Sequence, residues 1–316
     1  MSIWKSGIMG VLVGDALGCP VQFESRAEVA THPVTGMRGF GTFNLPAGSW
    51  TDDSSLTLAL LESIKRKGGI DCADIMDNFV KWLDDGAFTP YGYAYDIGRG
   101  TINAIQKYKR DHKPHEAGST AENNNGNGSL MRIMPAVLYC IEKNIPDDEA
   151  IDIIHRVGGL THGHIRANIA CGLYYFMAAA IVSHGGSLLE CLQKGLGIGF
   201  AFYEAHLADC EELVHYDRLR DLERFAGLGE DSIRSTGYVV DTLEATVWSL
   251  LTTDSFEDAL LKAVNLGDDT DTVGAIAGGM AGVYYQTIPE AWTDALQRRE
   301  WIENLIEETE YALHSV

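Results

Sequence analysis

Three aspartates fall within four residues of "NLGDDTDTVGAIAGGM" (265–280), ahead of a nearly charge-free, glycine-studded run. No lysine or arginine stands between Lys262 and Arg298 to offset them. An earlier stretch, "GSWTDDSSLTLALLES" (48–63), repeats the arrangement, with threonine and aspartate directly before a strongly apolar segment. Helix capping is one use for such residues, because their oxygens accept from free backbone N–H groups at the positive end of the helix dipole. Capping needs one such residue per helix, or two, and each stretch supplies several. Carboxylates crowded against buried apolar surface repel one another and resist desolvation. Hard divalent ions relieve both effects, since Mg2+, Mn2+ and Ca2+ prefer carboxylate, hydroxyl and water oxygens. Zinc fits less well, as neither stretch contributes histidine or cysteine. The residues therefore point to an oxygen-rich metal site, built from two Thr/Asp sets where two helix N-termini meet.

Between them, "ENNNGNGSLMRIMPAVLYCI" (122–141) places small polar and glycine residues ahead of an apolar segment. Backbone N–H groups in such a loop hold phosphate without a basic side chain. Asparagine and glycine are equally the residues of tight turns, and no Gly-Lys-[Ser/Thr] follows to make a P-loop. "LTHGHIRANIA" (160–170) puts His162 and His164 at a helix start, where they suit capping, metal or ligand contact. Their spacing is not the i, i+4 of a helical zinc pair. Asp96 in "AYDIGRGT" (94–101) sits in a glycine-punctuated loop, with a plain cap as its simplest role. Tyr238 in "STGYVVDTLEATVW" (235–248) opens a helix, where it either stacks on a base or fills the core. No Gly-x-Ser-x-Gly elbow or catalytic-cysteine signature occurs.

The elements that must position these groups are helices. Residues 4–17, 54–67, 71–84, 95–110, 130–143, 147–157, 163–183, 187–206, 238–252, 255–265, 272–285, 290–297 and 299–313 all read at helical period. Alternating strands are absent apart from a short candidate at 36–43, so the expectation is a single all-α domain over residues 1–316. Gly10, Gly14 and Gly18 recur every four residues, as do Gly274, Gly278 and Gly282. Each glycine costs about 1 kcal/mol against alanine inside a helix, so such rows signal close approach of helix to helix or helix to ligand. Polar loops at 19–53, 86–95, 110–129 and 207–236 are longer than bundle connections usually are, and long loops often carry sites.

The 316 residues are 46% hydrophobic and 22% charged, a globular composition with ample core. A net charge of −21 argues against nucleic acid or an anionic membrane as a generic partner, while leaving room for a small anionic ligand in a local donor pocket. The six cysteines are scattered with no CxxC pair, as in a reduced, cytoplasmic protein. Asp15 interrupts the apolar start, which argues against a signal peptide, and no uninterrupted apolar run reaches the ~18–20 residues of a membrane span. A monomer is expected of so acidic a chain.

Taken together and in order, "GDALGCPVQFE", "GSWTDDSSLTLAL", "YDIGRGT", "NNGNGSLMRIMP", "THGHIRA", "GYVVDTLEA" and "NLGDDTDTVGAIAGG" resemble the ADP-ribosylglycohydrolase family. The resemblance runs from residue 10 to about 285. It implies a compact all-α fold, a binuclear Mg2+ or Mn2+ centre, and hydrolysis of the glycosidic bond joining ADP-ribose to an acceptor. Motif by motif, it implies metal ligation by Thr51, Asp52, Asp53, Asp269, Asp271 and Thr272. Asp268 falls outside that pattern and is expected to support or cap from behind. Glu24 is implied near the metals in proton transfer, shared with Asp53, and Asp96 at the scissile ribose or an acceptor guanidinium. Gly126, Asn127, Gly128 and Ser129 are implied to line the diphosphate and ribose pocket, completed by His162 and Tyr238. The implied substrate is an ADP-ribosylated protein, most plainly one modified on arginine, or a small ADP-ribosyl compound such as a serine-linked or O-acetyl one. A non-catalytic ADP-ribose-binding module is the alternative from another class, but relatives of that kind would lack acidic ligands that are all present here.

Overall fold

The computed structural model describes residues 1–206 and 211–315. Cys210 lies outside the described residues, and the other five cysteines are buried free thiols. Among the described residues there is no strand, only three isolated β-bridges, and the chain is a succession of α-helices. The first half holds α1 (Ile3–Gly18), α2 (Arg26–Thr31), α3 (Asp52–Lys67), α4 (Cys72–Asp85), α5 (Arg99–Asp111), α6 (Pro114–Ala117), α7 (Met134–Glu142) and α8 (Asp147–Gly159). The second holds α9 (Ile165–His184), α10 (Leu188–His206), α11 (Leu222–Ala226), α12 (Val239–Leu251), α13 (Phe256–Val264), α14 (Thr270–Tyr285), α15 (Glu290–Ala295) and α16 (Arg299–His314).

Local chemistry sets most boundaries. Asp71 caps α4 by accepting from the N–H groups of Ala73 and Asp74, and Gly86 ends it in the left-handed conformation. Three expectations need correction. The candidate strand at 36–43 is a loop with a 3-10 turn at Gly41–Phe43 and a single bridge between Phe40 and Leu45. The helix expected from 95 begins only at Arg99, because Asp96 stands at φ 51° and Gly98 is extended. The helix expected over 130–143 is a 3-10 turn at Leu130–Arg132 followed by α7, with Pro135 in the first turn of α7.

The glycine rows pack against each other. A Cβ on Gly14 would lie 1.9 Å from the carbonyl oxygen of Gly274, and one on Gly10 would lie 2.1 Å from that of Gly278. A Cβ on Gly18 would lie 2.4 Å from the backbone of Thr270 and Asp271, and one on Gly282 would lie 2.1 Å from the carbonyl oxygen of Ser6. Thus α1 and α14 run antiparallel with backbones touching, at the buried centre of the molecule. Around this pair pack α3, α7, α9, α12, α13 and α16. By length and composition α9 could cross a membrane, but most of it is buried here as a core helix. Arg132 is buried too; its guanidinium lies 5.1 Å from the centre of the Phe79 ring and donates to the carbonyls of Gly128 and Val157.

The seam is testable by thermal and denaturant unfolding. Gly14→Ala and Gly278→Ala should each cost about 3 kcal/mol or more, since the opposing atoms are backbone that cannot swing away. Gly197→Ala, in α10 with open space around its Cβ position, should be neutral or stabilising by about 0.5–1 kcal/mol.

Candidate active site

The seam delivers Asp15, on α1, to the N-terminus of α3. Its carboxylate accepts from the backbone N–H groups of Thr51 and Ser54 (3.0 Å each) and from their hydroxyls (3.1 and 2.5 Å). The start of α3 is therefore satisfied from another helix. Thr51, its N-cap residue, makes no side-chain cap bond. Asp52 and Asp53 are left without that duty, so capping does not explain the first acidic set.

The second set behaves alike. Asp269 occupies the N-cap of α14 but makes no side-chain cap bond. Instead its Oδ2 accepts from Asn127 Nδ2 at 2.6 Å. Asp271 is fully buried, and neither carboxyl oxygen has a donor. Asp53 Oδ2 accepts from Thr51 (3.2 Å) and Thr272 (3.4 Å), joining the two sets, while its Oδ1 has no partner. Asp268 departs from expectation. It stands at φ 60° with its side chain exposed and unbonded, and only its backbone acts, exchanging 2.7 Å hydrogen bonds with Phe23 and Glu24.

Burial dominates the electrostatics. It holds Asp52, Asp53 and Asp271 well above the ordinary carboxylate range, and their mutual repulsion adds to the shift. Asp96 and Asp269 are raised by the same desolvation, against hydrogen bonds that lower them. Asp15 is pushed up to about 7, again by burial, despite the donors from Ser54 and Thr51. Arg132, a buried cation, bonds carbonyls rather than these carboxylates.

These groups stand at one end of a cavity of about 730 Å3. Its wall includes Asp52, Asp96, Asp269 and Thr272, with Gln22 donating to Asp96 Oδ2 at 2.9 Å. The wall also includes the loop of Gly126, Asn127 and Gly128, which reaches the acidic set through the bond from Asn127 to Asp269. That loop is held open by bonds to the start of α12, from Asn127 N–H to Gly237 O and from Val239 N–H to Asn125 O. The N–H groups of Gly126, Gly128 and Ser129 make no hydrogen bond among the described residues. His162 also lines the cavity. A Cβ on Gly100 or Gly128 would meet its ring at 2.8 or 2.7 Å, so both glycines make room for it. Burial depresses its pKa to about 3, with help from Arg132, and the ring is neutral at working pH. His164 turns away and caps α9. Three polar atoms in the cavity wall lack any partner: Gln22 Oε1, Thr101 Oγ1 and Asn124 Nδ2. Unpartnered buried polar atoms are uncommon, and here they share one cavity.

The remaining candidates stand further back. Thr51, Asp53 and Asp271 are buried behind the wall, and the Ser129 hydroxyl faces Cys171 Sγ at 3.6 Å. Glu24 is half-buried, next in sequence to Phe23 of the cavity wall, and its carboxylate makes no hydrogen bond among the described residues. Tyr238 packs against the core with its hydroxyl accepting from Arg166, and its neighbour Gly237 reaches the cavity instead.

The profile of the ADP-ribosylglycohydrolase family matches residues 4–315. The chain belongs to that family. ADP-ribosylarginine hydrolase Tri1 of Serratia proteamaculans (strain 568) is 32% identical over 312 residues, covering 97% of this chain and 78% of that protein. The ADP-ribosyl-[dinitrogen reductase] glycohydrolase of Rhodospirillum rubrum is 32% identical over 298 residues, covering 92% and 89%. ADP-ribosylhydrolase ARH3 of Mus musculus is 25% identical over 337 residues, covering 94% and 88%. A solved structure described as an ADP-ribosylglycohydrolase-related protein complex superposes with a TM-score of 0.76 at 32% identity, over 98% of both chains. The protein is thus a glycohydrolase.

Sequence reasoning missed Asp15 and Gln22 in this glycohydrolase. Asp15 carried a signal, a lone carboxylate inside an apolar glycine-rich helix; Gln22 carried none. The donor set suits a hard divalent cation. It is all oxygen, it is uncompensated, and Asp271 adjoins the carboxyls of Asp96 and Asp269, contacts made favourable by a shared proton or a cation. Among the described residues no three carboxylate, imidazole or thiol groups form a preassembled ligand cage.

The sign of the pH dependence follows. A carboxyl raised on folding stabilises fully below its unfolded pKa, near 4, and that contribution is lost as pH rises through the folded value, about 7 for Asp15. In a chelator, the melting temperature should therefore fall as the pH is raised from about 5 to about 8. Magnesium should remove most of that fall. Asp271→Asn should raise the melting temperature of the cation-free protein and abolish the magnesium effect; stability that rises with pH in the chelator would contradict the assignment.

Proposed function

We propose that this glycohydrolase removes ADP-ribose from the arginine side chain of a modified protein, with two divalent ions, Mg2+ or Mn2+, held by Thr51, Asp52, Asp53, Asp269, Asp271 and Thr272. The observation that carries this reading is the set of buried carboxyl oxygens with no donor, at the end of a cavity whose wall also offers free backbone N–H groups. When bound, the ions supply positive charge that offsets the carboxylates, anchors ribose hydroxyls and makes water a better nucleophile. The loop at Gly126, Asn127, Gly128 and Ser129 orients the diphosphate through its N–H groups, with neutral His162 and Thr101 beside it.

The chain's own groups manage the protons. Water adds to C1 of the ribose while the bond from C1 to the acceptor nitrogen breaks, through an oxocarbenium-like state. Asp53 receives the proton the water loses, and Glu24, next in sequence to Phe23 of the cavity wall, is the second candidate for that task. Asp96, whose carboxyl is raised by burial, is the group placed to pass a proton to the departing nitrogen. Its position beside Gln22 also suits a bidentate contact with a guanidinium. The two Tri1 proteins, at 32% and 30% identity, are named for arginine-linked substrates, which favours that linkage. A different acceptor, such as a serine-linked one, is the second reading, since the more distant relative ARH3 is named an ADP-ribosylhydrolase without reference to arginine.

Assays on defined arginine-, serine- and O-acetyl-linked ADP-ribose decide between them. Release from arginine should dominate, require Mg2+ or Mn2+, and stop in chelator. Asp53→Asn and Asp96→Asn should each lower kcat by about 100-fold or more. Binding of ADP-ribose without turnover of any linkage would favour a binding module.

A further inference from the structure

The mouth of the cavity is rimmed by exposed aromatic side chains. Phe23 and Ile97 line the cavity yet are 67% and 37% exposed. Phe40, at 65%, and Tyr93, at 51%, stand outside it. Rings join into a continuous band, from Phe23 to Phe43 (centroids 6.5 Å apart), from Phe43 to Tyr95 (5.5 Å) and from Tyr95 to Tyr93 (5.9 Å). Other large hydrophobic side chains exposed among the described residues, Val182, Ile198 and Tyr311, lie on three separate helices.

The band is built, not floppy. Phe23, at its cavity end, is held at φ 69°, a region that bulky residues avoid. Such strain persists only where surrounding structure imposes it. Here Phe23 N–H donates to Asp268 O at 2.7 Å, Thr42 Oγ1 donates to Gln22 O at 2.6 Å, and the Tyr95 hydroxyl donates to Trp50 O. Turning Phe23 outward leaves apolar area in water that would stabilise the fold if buried, and a contiguous exposed apolar surface marks an interaction site.

We propose that this rim is the docking surface for the polypeptide on either side of the modified side chain, a segment carrying basic and apolar residues. The inference rests on the proposed function, in which the acceptor leaves past Asp96 and Gln22, the end of the cavity that Phe23 and Ile97 border. The cavity wall that the rim borders carries Asp52, Asp96 and Asp269 against a single basic side chain, Arg99. Aromatic faces and carboxylates together attract arginine and lysine side chains. A second copy of a chain with net charge −21, or an anionic membrane, is repelled by the same surface.

The test is Tyr93→Ala, at the end of the band and outside the cavity wall. Turnover is compared on an arginine-ADP-ribosylated protein and on free ADP-ribosylarginine. On the protein, kcat/KM should fall at least fivefold, mainly through KM, while turnover of the free compound stays unchanged. An equal fall on both substrates, or no change on either, would overturn the docking surface and leave the proposed function standing. A wild-type dimer that the variant converts to monomer would also overturn it, by assigning the rim to a contact between copies. If folded wild-type enzyme released ADP-ribose from neither substrate, the arginine reading would fall first, and this inference with it.

Discussion

Everything in this molecule follows from two helices that touch backbone to backbone. Alanine in place of Gly14 or Gly278 would put a methyl group into an opposing carbonyl. The glycines carry a cost of about 1 kcal/mol each in helix propensity, and what they provide is distance. With α1 and α14 in contact, Asp15 arrives at the start of α3 and the N-terminus of α14 arrives beside Gly18. Two helix N-termini and several carboxylates then share one buried corner. No loop could hold so many like charges together unaided, and the rigid seam is what prevents them from separating.

Within that corner the work is divided. Asp15 accepts from the backbone N–H groups of Thr51 and Ser54 and so fixes where α3 begins. That leaves Asp52 and Asp53 unspent, and Asp269 is oriented by Asn127 rather than by its own helix. The result is an excess of buried negative charge that the protein does not neutralise, which in water-poor surroundings costs several kcal/mol per ion. The excess is the physical reason to assign a cation requirement to the site.

Much of this was legible in the sequence because it is written in short-range signals. The rows at Gly10, Gly14 and Gly18 and at Gly274, Gly278 and Gly282 announced a close approach, and repeated Thr/Asp sets beyond the needs of capping announced an oxygen-rich site. What stayed hidden depends on tertiary contact. Nothing local distinguishes Asp268 from its neighbours, yet a left-handed backbone turns its side chain to solvent while Asp269 and Asp271 turn inward. The start of α5 at Arg99 depends on the backbone at Asp96, whose carboxylate meets Gln22, a residue distant in sequence. The placement of Tyr238 against the core reflects its contact with Arg166 on α9, which periodicity within α12 cannot report.

The central claim is that the buried carboxylates exist to hold divalent ions at the scissile end of the cavity. Anomalous diffraction at the manganese edge, on crystals of the manganese-loaded enzyme, tests it most directly. The account predicts anomalous peaks between the two acidic sets, in contact with Asp53 and Asp271. A fully active, manganese-loaded enzyme with no peak at that corner, or with its ions bound elsewhere, would contradict it.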